Sequence, residues 1–66
     1  MEKMFAMSRR RDNKRVEFFC ELRNGRMVYI IREEGMESQD SVTHDRAAVD
    51  AFRDGLLRDG YMEMPL

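Results

Sequence analysis

Two groups of residues in this chain have the types and spacing to do chemistry. The first is Ser41, His44 and Asp45, with Asp40 just before them. A nucleophilic triad needs Ser, His and acid to converge on a pocket from separate elements. Here they are contiguous in one stretch, so no catalysis is expected and the chain does not read as an enzyme. Asp40, His44 and Asp45 offer ligands for a divalent metal, but no second His or Cys lies at ligand spacing. His44, the one histidine, reads as an ordinary exposed residue at a helix start. The four glycines are scattered and form no phosphate-cradling loop, so no cofactor is expected.

The second group is Arg9, Arg10, Arg11, Lys14 and Arg15, five cations within seven residues. Such a cluster can neutralise several phosphates of a nucleic acid. Against that reading, Asp12 interrupts it, no aromatic is interleaved, and the pI is only 5.8. The competing reading is a solvated turn that discourages edge-to-edge strand pairing.

The elements that would position these residues follow from one local signal. Asn24-Gly25 suits the two positive-φ positions of a type I′ turn, and apolar-rich runs flank it. Lys14–Arg23 and Arg26–Glu33 therefore pair as an antiparallel hairpin whose two-residue loop fixes the register. Val16, Phe18, Cys20 and Leu22 share one face with Met27, Tyr29 and Ile31, which is the expected core face. Cys20 should then be buried and inert, because desolvation disfavours the thiolate. The opposite face carries Phe19, Val28 and Ile30, with Glu17 facing Arg32 as an opposite-charge pair.

Upstream, residues 1–13 read either as a first strand over Lys3–Arg10 or as a basic arm. Downstream, 34–41 is a polar loop, and Thr43 can N-cap a helix from about His44 to Arg58, within the segment 43–59. Ala48, Val49, Phe52, Gly55 and Leu56 line one face of it, and Gly55 is expected there to allow close approach to the sheet. Gly60 suits the left-handed position after the helix, and 61–66 reads as an extended tail. The expected fold is α+β: a small antiparallel meander of two or three strands, then one C-terminal helix packed on one face. Residues 1–66 make a single domain.

Length and composition limit what such a fold can do. Sixty-six residues and 7.9 kDa allow one small core. No segment approaches the run of ~20 apolar residues that spans a membrane. One cysteine cannot make an internal disulfide and the N-terminus has no uninterrupted apolar run, so a cytoplasmic location is expected. Net charge is −1, yet residues 1–33 carry +4 (nine Lys/Arg, five Asp/Glu) and 34–66 carry −5 (three Arg, eight Asp/Glu). The leading expectation is a small non-enzymatic regulator that binds another protein. Phe19, Val28 and Ile30 would be its apolar anchors, and Asp50 and Asp54 on the helix would steer a basic partner. The same apolar patch predicts self-association as a dimer. Nucleic-acid binding through Arg9–Arg15 is the alternative.

Overall fold

The computed structural model describes residues 1–35 and 39–65. Part of the expected 34–41 loop and the last residue of the tail lie outside the described residues. The chain is α+β, as its pattern indicates, but its antiparallel sheet has five strands rather than two or three. Strands β1 (Glu2–Arg9), β2 (Lys14–Arg23), β3 (Arg26–Glu33) and β4 (Ser41–Thr43) form a meander. Helix α1 (Arg46–Arg58) then crosses one face, and β5 (Met62–Glu63) adds to the far edge, giving the order β4-β3-β2-β1-β5. The molecule is about 40 Å long and 22 Å across.

The β2–β3 hairpin has the register its turn dictates: Leu22 faces Met27, Cys20 faces Tyr29, Phe18 faces Ile31 and Val16 faces Glu33. Asn24 and Gly25 take φ of 50° and 78°, the left-handed geometry that a type I′ turn requires. Residues 2–9 are a strand, not an arm, with a register shift at Met4, so that Phe5 meets Phe18 and Met7 meets Val16.

Helix α1 starts two residues later than its sequence indicates. Asp45, not Thr43, is the N-cap: its side chain accepts a hydrogen bond from the Ala47 amide at 3.0 Å. Thr43 Oγ1 accepts in turn from the Asp45 amide at 3.0 Å. Consecutive oxygen acceptors over-satisfy this end, and the residue whose side chain reaches the first free amides inside the helix takes the cap. The other end matches expectation. The Tyr61 amide donates to Leu56 O at 2.9 Å, the Gly60 amide donates to Leu57 O at 3.2 Å, and Gly60 has φ of 91°. This is the Schellman arrangement, which satisfies two terminal carbonyls.

The core lies between α1 and one sheet face, where Phe5, Met7, Val16, Phe18, Ile31, Val49 and Tyr61 are buried together. Phe5 stacks on Phe18 at 4.3 Å, and Phe52 meets Phe18 edge-on at 6.1 Å. Gly55 does not serve a close helix–sheet contact. A methyl group placed there would meet only the end of the Arg58 side chain, at 3.9 Å.

Candidate functional site

The two ends of the sheet are built differently, and each places a set of side chains in solvent. At the β1–β2 turn, Arg9 ties three elements together. Its Nε and Nη2 donate to the two carboxylate oxygens of Asp12 at 3.1 and 2.8 Å. Its Nη1 donates to Asp59 Oδ2 at 2.8 Å and to the Asp59 carbonyl at 3.2 Å, and its guanidinium lies 4.7 Å from the centre of the Tyr61 ring. The bidentate bond from Arg9 lowers the Asp12 carboxyl from 3.8 to about 2. The turn, the C-terminus of α1 and the start of the tail are thereby joined.

The cation cluster does not act as one unit. Arg9 is consumed by that latch, and Arg15 lies 3.5 Å from Glu17 Oε2. Lys3 Nζ also reaches Glu17 at 2.7 Å, and its hydrogen bond holds that carboxyl below its ordinary value. Arg10, Arg11 and Lys14 are exposed and have no ion pair among the described residues. A recess of about 260 Å³ opens beside them, lined by Ser8, Arg9, Arg10, Asn13, Gly60 and Met62.

At the other end the hairpin overhangs. Strand β1 begins opposite Cys20, while β2 continues to Arg23. The helix begins over Tyr29, with the Arg46 guanidinium 5.8 Å from that ring, so nothing of α1 covers the hairpin tip. Leu22 and Met27, expected in the core, are therefore 68% and 41% exposed, and Met1 is 63% exposed. Cys20, expected to be buried, is only half-buried. With Glu2 and Glu21, these four residues line a notch of about 520 Å³. Glu21 is hydrogen-bonded by Arg23 Nε, which lowers its carboxyl, whereas Glu2 has no ion pair among the described residues.

The anchors expected from the sequence are not assembled into one surface. Val28 and Ile30 are 1% and 3% exposed, and Phe19 is half-buried. β4 sets Val42 directly beside Ile30, and Arg32 lays its guanidinium 5.2 Å over the Phe19 ring. Arg32 is itself held by both Asp40 oxygens at 3.0 and 2.8 Å, a pairing that lowers the Asp40 carboxyl. This face therefore offers no three-residue apolar patch for the dimer expected from it. Asp50 and Asp54 are exposed on α1, which covers the opposite face of the sheet, and both lie near arginines of their own helix. Ser41, His44 and Asp45 also have separate surroundings. Ser41 is an exposed residue of β4 and Asp45 caps the helix, while His44 Nδ1 lies 3.3 Å from the Met27 carbonyl oxygen.

No family model, curated protein or solved structure matches this chain. Among the described residues, no helix is long and apolar enough to cross a membrane.

Proposed function

We propose that the chain is a small non-enzymatic protein-binding module that docks its partner at the hairpin-tip notch. The observation that supports this reading is the joint exposure of Met1, Leu22 and Met27 around one concavity. Exposed apolar side chains gathered on a rigid scaffold are what an interface core is made from. The β2–β3 hydrogen-bonding alternation adds a polar feature. Closing the turn at Arg23–Arg26 makes Leu22–Met27 a non-hydrogen-bonded pair, so the Leu22 amide and carbonyl point to the side where β1 has ended.

The occupant this notch fits is a convex, extended segment of a different protein that carries an apolar side chain and a cation. The apolar group fills the space between Leu22 and Met27, the backbone of the segment meets Leu22, and the cation pairs Glu2. A second copy docked notch to notch about a twofold axis would set Glu2 against its own counterpart, a like-charge contact. The test is a photo-crosslinking amino acid at Leu22, with the same group at Met62 as control. A discrete heteromeric adduct from position 22, lost on Met27→Asp and absent from position 62, supports the reading. Adducts that are purely homomeric, or the same from both positions, refute it.

A further inference from the structure

We infer that the β1–β2 turn is a second binding site, which takes the phosphate backbone of a nucleic acid. What distinguishes this turn is the charge it leaves over. Asp12 is the only acidic residue in the turn, and it is bound on both oxygens by Arg9 and accepts from the Lys14 amide. Its charge is thus answered within the turn, and Arg10, Arg11 and Lys14 project from the same five-residue stretch with no ion pair among the described residues. Carboxylates of other elements do come near. Glu33 and Glu34 line a separate recess with Lys14, and Asp59 is held by Arg9. Arg10 and Arg11 face neither of these in any ion pair, and they are the principal contacts.

Two further features favour this ligand. The cations are pre-positioned, since Arg9 fixes the turn to the helix end and Asn13 adopts a left-handed φ of 56° within it. The residues of the turn itself, Arg10 to Lys14, are all polar or charged, so it offers no apolar wedge to anchor in a bilayer. Ser8 and Asn13 line the adjoining recess with Arg10 and supply uncharged donors there.

Three phosphate contacts give a salt slope of roughly −2.7, so affinity should fall ~40-fold between 50 and 200 mM salt. The experiment is fluorescence anisotropy with a labelled 20-base-pair duplex of arbitrary sequence, using the intact chain. The comparison is Arg10→Gln/Arg11→Gln/Lys14→Gln against Arg26→Gln, an exposed cation at the opposite end. All four side chains are in solvent, and circular dichroism checks that each variant is folded. Salt-dependent binding that is abolished in the triple variant and kept in Arg26→Gln supports the site. Absence of binding at 50 mM salt, or equal binding by the triple variant, overturns it. So does turn-dependent binding to anionic phosphatidylserine vesicles with none to the duplex.

Discussion

Replacing Gly55 with alanine separates two accounts of how α1 meets the sheet. Glycine inside a helix costs about 1 kcal/mol relative to alanine, because its backbone loses more freedom on folding. The helical periodicity puts Gly55 on the inward face, where a missing side chain would let helix and sheet approach closely. On that account a methyl group collides with the sheet and the protein is destabilised. The surroundings of Gly55 give the opposite sign. A methyl at position 55 meets only Arg58 Nη2 at 3.9 Å, an ordinary contact with the end of a flexible side chain. The full propensity difference should appear as stabilisation, about 0.5–1 kcal/mol, equivalent to a rise in melting temperature of roughly 4 °C or somewhat more for a domain of this size. Thermal unfolding followed by far-ultraviolet circular dichroism measures it. A fall in melting temperature would refute the reasoning and place sheet atoms against residue 55.

Val49→Ala should cost about 2 kcal/mol, from two buried methyl groups and the space they leave. Val42→Ala, the same change at an exposed position on β4, should stay within about 0.5 kcal/mol; denaturant melts that show equal losses would mean that α1 is not packed where Val49 places it. Acid sensitivity provides another test. The Asp12 carboxyl is lowered in the folded chain, so its contribution is complete above its ordinary value of 3.8 and is lost as pH falls toward about 2. Melting temperature against pH should therefore fall less steeply over that window in Asp12→Asn, with a residual slope from Glu17, Glu21 and Asp40, all also lowered; an unchanged slope would show that the Arg9 latch does not hold in solution.

What the sequence makes legible here is what short-range chemistry determines. Asn24-Gly25 fixes the turn, the turn fixes every pair from Val16–Glu33 to Arg23–Arg26, and Gly60 closes the helix. Strands β4 and β5 escape notice because three residues and two residues are too short to show a period of two. The pairing of β5 with β1 also depends on where the helix delivers the chain, a long-range outcome. The notch escapes for a different reason. Periodicity says which face a side chain shares, not how far along that face the covering layer extends. Leu22 and Met27 do lie on the same face as Phe18 and Ile31, and they are exposed nonetheless. One signal was available: thirteen helical residues span ~20 Å, whereas the ten residues of β2 span ~33 Å. Even aligned with the strand, the helix leaves about 13 Å of the hairpin uncovered.

Why the uncovered part falls at the hairpin tip follows from the anchoring of α1. Its C-terminal end is fixed twice, by the Gly60–Tyr61 closure and by Arg9, which binds both the side chain and the carbonyl of Asp59. Its N-terminal end is held by lighter contacts: the Asp45 cap is internal to the helix, Arg46 lies over Tyr29, and His44 touches the Met27 carbonyl. With the helix registered from the turn end, the whole shortfall in length accumulates beyond Tyr29, where Leu22 and Met27 lie. The same Arg9 that sets this register also answers the charge of Asp12 and leaves Arg10, Arg11 and Lys14 in solvent. One half-buried guanidinium thus shapes both ends of the molecule, with apolar side chains exposed at the hairpin tip and, at the opposite turn, cations that have no ion pair among the described residues.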